Sequence, residues 1–157
     1  MLRIGLLMMY AGSDARGQSF AGAFRGGLNE LGWTEGRNIQ LEYRWATSDP
    51  QTIERCAKDL VALQPELILS SSAPTTAALL QETRTIPILF GNLADPVGSG
   101  FVATLSKPGG NITGFINVEP AMTGTWLELL KTMAPRVTHV AALFNPDAAP
   151  YIGSYLD

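Results

Sequence analysis

Apolar residues fall into short blocks along this chain, with turn-forming residues between them. Ile4 to Met9 is the first block, continuous and uncharged, as expected of a strand buried on both faces of a parallel sheet. Tyr10-Ala11-Gly12-Ser13-Asp14 follows as a loop of turn residues. Phe20, Phe24, Leu28 and Leu31 then recur at helical spacing, which predicts a helix over 17–31 closed by Gly32. Ile39, Leu41, Tyr43 and Trp45 alternate with polar residues, the mark of a strand with one less buried face or at a sheet edge. Asp49-Pro50 opens a second helix, with Asp49 as its cap and Pro50 in its first position. Ile53, Cys56, Ala57, Leu60 and Val61 share one face of that helix, which makes Cys56 a core thiol.

The third strand and the turn after it organise the rest. Leu67-Ile68-Leu69 is another buried run, and it stops in Ser70-Ser71-Ser72 before Pro74-Thr75-Thr76 begins a helix. Ser72 is placed to cap that helix. Hydroxyls beside a helix N-terminus, which carries roughly half a positive charge, suit a carboxylate or phosphate. Ser and Thr are also common there as plain caps. A fourth strand covers Ile86 to Phe90, a loop runs from Gly91 to Gly98, and Asp95-Pro96 is expected to open a helix carrying Phe101, Val102 and Leu105. Pro108 to Asn111 is a turn, and Ile112 to Phe115 is a fifth strand.

Strand and helix thus alternate four times before a closing strand, which predicts an α/β fold with a doubly wound parallel sheet. Ligands in such sheets sit outside the carboxyl ends of the strands. The loops that reach that edge are Tyr10 to Ser13, Ser71 to Thr75 and Asn92 to Asp95. After Phe115 the pattern restarts. Ile116 to Pro120 reads as a connector, Met122 to Met133 as a helix with Trp126, Leu129, Leu130 and Met133 in a core, and Val137 to Phe144 as a sixth strand with His139 in a structural role. Asn145-Pro146-Asp147 ends that strand, and Pro150 begins a further helix. A helix, a strand and a helix fragment do not make a stable lobe, so the sequence is expected to stop inside a second domain. Apolar faces from Met122 onward would then pack against another copy or back on the first lobe.

Composition narrows the chemistry. Eleven basic and 14 acidic residues leave a net charge of −3 with no basic cluster, which speaks against a nucleic-acid partner. One cysteine and one histidine preclude an internal disulfide and a multi-histidine metal site. No apolar run is long enough to cross a bilayer, and the N-terminal block reads as a strand rather than a signal peptide. There is no phosphate-binding glycine loop ending in Lys-Ser or Lys-Thr, no glycine fingerprint after the first strand, and no nucleophile elbow at Gly98-Ser99-Gly100. No catalytic residue, cofactor or metal is expected. A nucleotide or sugar-phosphate enzyme on the same kind of sheet would need a more concentrated set of charges.

Several blocks carry a family resemblance. Glu30-Leu31-Gly32-Trp33-Thr34-Glu35-Gly36-Arg37-Asn38-Ile39 and Glu42-Tyr43-Arg44-Trp45-Ala46 are similar to segments of bacterial ABC-transporter substrate-binding proteins related to tryptophan and tyrosine uptake proteins. So are Thr85-Ile86-Pro87-Ile88, Asn92 to Gly98, Lys107 to Gly114 and Phe144-Asn145-Pro146. The resemblance implies a type I periplasmic binding fold, with two lobes closing on a small molecule. Residues 1–116 would form the first lobe, and 117–157 a hinge and the incomplete start of the second. It further implies an amino-acid-like ligand, aromatic ones included, an ABC permease as partner of the full-length protein, and a periplasmic or lipid-anchored extracytoplasmic location. Ser71, Ser72 and Thr75 would hold a carboxylate, Tyr10 would form an apolar wall beside Ser13, Asn92 and Asp95 would orient an amino group, and Asn145 would reach in from the second lobe. A regulatory domain that senses a ligand with the same lobe is the other reading.

Overall fold

The computed structural model describes residues 1–118 and 122–144. Five strands, β1 (Leu2–Met8), β2 (Ile39–Trp45), β3 (Leu67–Ser70), β4 (Ile88–Ala94) and β5 (Ile112–Val118), form one sheet in the order β2-β1-β3-β4-β5. Every pairing is parallel. β1 is interior, with Ile4 level with Leu41 on one side and Leu67 on the other. That position explains its unbroken apolar run, because a strand flanked and covered on both faces has no side to spend on water. β2, the alternating strand, lies at an edge.

Three helices wrap the sheet: α1 (Ala15–Glu30) on one face, α2 (Pro50–Ala62) and α3 (Ala73–Glu82) on the other. The strand alternation divides the core accordingly. Leu7, Ile68, Ile88, Phe90 and Ile112 pack with Ile53, Cys56, Leu60 and Leu79 of α2 and α3. Ile4, Leu6, Met8, Ile39 and Leu41 point the other way, against Phe24 and Leu28 of α1. The expected doubly wound α/β sheet is therefore present.

The helix ends follow their local chemistry. The Asp14 carboxylate accepts from the amides of Arg16 and Gly17, so α1 starts two residues earlier than the apolar spacing suggests. At its other end the Gly32 amide donates to the Asn29 carbonyl and the Trp33 amide to that of Leu28, with Gly32 at φ +84°. This is the left-handed glycine stop, and it throws Leu31 into solvent at 77 % exposure rather than onto the apolar stripe. Asp49 caps α2 through the Thr52 amide, with Pro50 in the first turn, as its sequence predicts.

Four expectations are corrected. No helix follows Asp95-Pro96. Residues 95–107 form irregular turns, with Asp95 at φ +39° and Gly100 at φ +71°, and the left-handed backbone prevents a helical run through Phe101, Val102 and Leu105. β5 continues through Ile116 and Asn117, which the pattern assigns to a connector. A fourth helix, α4 (Met122–Met133), forms where expected, but among the described residues none of its side chains is buried, so Trp126, Leu129, Leu130 and Met133 join no core there. Val137 to Phe144 has no strand partner among the described residues and is not a strand. His139 is exposed there, its Nδ1 2.9 Å from the Thr138 hydroxyl. Glu119, Pro120, Asn145 and Pro150 lie outside the described residues.

Candidate functional site

The carboxyl end of β3 carries a knot of hydroxyls. Ser70, fully buried, lies 2.8 Å from both Thr75 Oγ1 and Thr76 Oγ1. Ser72 is the N-cap of α3 and exchanges a reciprocal pair of bonds with Thr75: the Thr75 amide donates to Ser72 Oγ, and the Ser72 amide donates to Thr75 Oγ1 at 3.0 Å. Ser71 turns the other way, where its hydroxyl accepts from the Met9 amide at 2.9 Å and ties the end of β1 to the end of β3. This local order follows from the sequence. A Ser followed three residues later by Thr supplies both arms of a capping box, and Pro74 between them needs no amide partner.

Asn92 forms the next corner. It adopts φ +58° within β4, at the point where the β4–β5 register slips between Phe90 and Leu93. A left-handed residue inside a strand is a bulge, and Asn tolerates it better than most side chains. Its Oδ1 accepts from Asn117 Nδ2 of β5 at 2.8 Å. Asp95, one turn further, spends Oδ1 on the Gly98 amide at 2.8 Å and shapes the loop.

On the opposite side, Tyr10 leaves β1 and meets α1. Its ring centroid is 5.9 Å from that of Phe20, and Arg16 sets its guanidinium 5.8 Å from the Phe20 centroid. Gly17 makes this approach possible. A Cβ there would lie 2.7 Å from Tyr10 Cβ and 3.1 Å from Trp45 Cζ3.

Two depressions result. One, about 240 Å³, lies on the sheet face beside α1 and is lined by Leu6, Met8, Phe20, Leu69, Ser71 and Asn92 among others. It is nearly all apolar and belongs to the part of the sheet that α1 leaves uncovered. The other, about 170 Å³, sits at the strand tips and is lined by Met9, Ser72, Ala73, Asn92, Leu93, Ala94 and Asn117. Neither has a charged lining residue. Among the described residues no group of three or more His, Cys, Asp or Glu is arranged to hold a metal ion. No described helix is long and apolar enough to cross a membrane.

The expected contact residues therefore separate. Ser72 and Asn92 share the strand-tip depression, Ser71 and Asn92 share the apolar one, and Tyr10 stands beside it through Phe20. Ser13 and Asp95 line neither. Thr75 is 0 % exposed, with its hydroxyl committed to the cap, so it positions Ser72 rather than reaching a ligand. Asn145 lies outside the described residues. Met9, Phe20, Ala73 and Asn117 line the depressions without being singled out by sequence. Asn117 was legible only by carrying strand alternation two residues past Phe115.

Comparison with known proteins gives a consistent picture. A family model described as ABC transporter substrate binding protein matches residues 8–152. A tyrosine-binding protein from Clostridioides difficile is 31% identical over 121 residues, covering 75% of this chain and 34% of that protein. The crystal structure of a conserved domain protein from Vibrio cholerae superposes with a TM-score of 0.86 at 28% identity, over 97% of this chain and 50% of that one. The ligand-free, open structure of a substrate-binding protein with adhesive properties from Clostridium difficile gives 0.71 at 31% identity, over 87% and 45%. An ABC domain in complex with L-Trp from Streptococcus pneumonia shares the fold, with 0.84 at 24% identity over 98% and 52%. This chain spans from about a third to about half of the length of these relatives.

Proposed function

Because the chain belongs to the ABC transporter substrate-binding protein family, we propose that it captures a small amino-acid-like solute, aromatic ones included, for delivery to a membrane permease. On this reading residues 1–116 are one ligand-binding lobe, 117–157 are the hinge and the start of the other, and the full-length protein works outside the cytoplasm. The observation that carries it is the convergence of Ser72, Ala73, Asn92 and Asn117 on one depression at the carboxyl ends of β3, β4 and β5. The first turn of α3 presents its positive end there, which suits a ligand carboxylate. The Asn92–Asn117 amide pair offers both donors and acceptors, which suits an amino group. The absence of charged lining residues supports binding over acid–base catalysis. The tyrosine-binding relative supports an amino acid as the solute class.

One lobe makes only part of the contacts of a closed receptor, so affinity for the isolated chain is expected to be weak, about millimolar. Titration with L-tryptophan and L-tyrosine, followed by backbone amide chemical shifts, tests the reading. The expected result is saturable shifts at Ser72, Ala73, Asn92 and Asn117 that disappear in Asn92→Ala. Shifts confined to the uncovered sheet face around Leu69, or none with any amino acid, would sink it.

A further inference from the structure

The strand-tip depression holds one group that solute capture leaves unused, the thioether of Met9. The Met9 amide donates to Ser71 Oγ at 2.9 Å, which fixes the residue just past the end of β1. Its sulfur reaches the cap of α3, where it accepts from the Ser72 hydroxyl at 3.4 Å. That hydroxyl also lies 2.9 Å from Thr75 Oγ1, an oxygen that already accepts from the Ser72 amide. A thioether is a weak acceptor. The Ser72 proton is therefore loosely held, and it passes at little cost to an arriving carboxylate, a far stronger acceptor. Met9 is half-buried and lines the depression, so a small solute there reaches the sulfur. Its neighbour Met8 is 2 % exposed and shielded. Met1, Met122 and Met133 are exposed but do not line the depression. Access and position coincide at Met9 alone among the five methionines.

Resting on the solute-binding reading above, the geometry points to Met9 as an oxidation site that disables the Ser72 end of the depression. The oxidant is hydrogen peroxide. The sulfur lone pair attacks one peroxide oxygen, and an S–O bond forms as the O–O bond breaks. The departing hydroxide takes the proton left on the transferred oxygen and becomes water. Sulfur is oxidised by two electrons and the peroxide is reduced by two, leaving methionine sulfoxide. The new oxygen is a strong acceptor beside Ser72. It keeps the hydroxyl proton that a ligand carboxylate would take, and it sets a partial negative charge in a space of about 170 Å³. Losing one hydrogen bond to a charged group weakens binding about tenfold. The change is reversible, because sulfoxide reductases restore the thioether.

The test is titration of the 157-residue chain with L-tryptophan, before and after treatment with hydrogen peroxide and its removal. Backbone amide shifts report binding, and peptide mass spectrometry follows each methionine. Oxidised wild type is expected to bind about tenfold more weakly, and methionine sulfoxide reductase to restore it. Met9→Leu, compared with itself, is expected to bind alike before and after peroxide, although the other four methionines remain. Met9→Gln puts an amide oxygen near the place of the sulfoxide oxygen and is expected to bind weakly with no oxidant added. If Met9 is oxidised and tryptophan binds as before, the proposal is overturned. It is overturned too if peroxide weakens Met9→Leu as much as wild type, or if Met9 resists peroxide that converts Met1 and Met133. A chain that binds no tryptophan before any treatment sinks the solute reading itself, and this proposal falls with it.

Discussion

Replacing Thr75 by valine removes one hydroxyl and leaves the volume nearly unchanged. In the native chain that oxygen lies 2.8 Å from Ser70 Oγ, 2.9 Å from the Ser72 carbonyl and 3.0 Å from the Ser72 amide, and Thr75 is 0 % exposed. Valine fills the space but offers none of these bonds. Ser70 keeps Thr76 as a partner. The Ser72 amide loses its acceptor at a half-buried position where water reaches it only in part. The lost bond costs about 1 kcal/mol, and the unsatisfied donor adds about 1 kcal/mol more. Thr75→Val is therefore expected to destabilise the fold by about 2 kcal/mol. Thr75→Ser keeps the hydroxyl and loses one buried methyl, at about 0.8 kcal/mol. Urea unfolding followed by circular dichroism should show a lower midpoint for valine than for serine, at an unchanged slope. In thermal melts the valine variant should lie roughly 6–8 °C below wild type, at roughly 3–4 °C per kcal/mol. If Thr75→Val proves as stable as Thr75→Ser, the hydroxyl knot is not what holds the start of α3, and the role given to Thr75 as the support of Ser72 is wrong.

Two further tests address the fold. A Cβ on Gly114 would lie 2.1 Å from the Phe90 carbonyl oxygen and 2.5 Å from its ring, so Gly114→Ala must push β5 away from β4. It is expected to cost about 2 kcal/mol in the same urea assay, within the range for an overpacked core, whereas Gly22→Ala, with nothing within 4 Å, should not destabilise. The Asp49 carboxyl is held below the ordinary aspartate range, first by the Thr52 hydroxyl and then by its amide. Its folded value thus lies below its unfolded one. The stability it gives is present above the unfolded value and is lost as the pH falls through the folded one. Melting temperature measured down through the acid range should therefore fall less steeply for Asp49→Asn than for wild type below about pH 4.

The sequence carried the parts of the fold whose chemistry is local. Asp49-Pro50 and Ser72 with Pro74 announce helix starts because a cap and a proline act within one turn, and both starts form where expected. The buried runs of β1 and β3 were equally plain. What failed was orientation and partnership. Phe101, Val102 and Leu105 have helical spacing, but Gly100 takes a left-handed turn just before them, and only the backbone reveals that Asp95 is left-handed too. Val137 to Phe144 is apolar enough for a strand, yet a parallel strand exists only beside another. At the candidate site the strand-to-helix turn was visible, but the direction of each hydroxyl was not. Thr75 points inward because the capping box needs it, a signal present in the Ser-x-x-Thr spacing. Gly91-Asn92 reads as a turn, and the structure instead runs β4 through it with a bulge that brings Asn92 beside Asn117.

The interior place of β1 also bears on biosynthesis. This segment leaves the ribosome ahead of both its neighbours, β2 and β3, so its flanks stay open until Ser70 has followed. Throughout that interval Ile4 to Met8 is an unguarded apolar stretch of the kind that self-associates in nascent chains. A holding chaperone that grips short greasy peptides would find its foothold there, and slowing translation between β2 and β3 would lengthen the exposure.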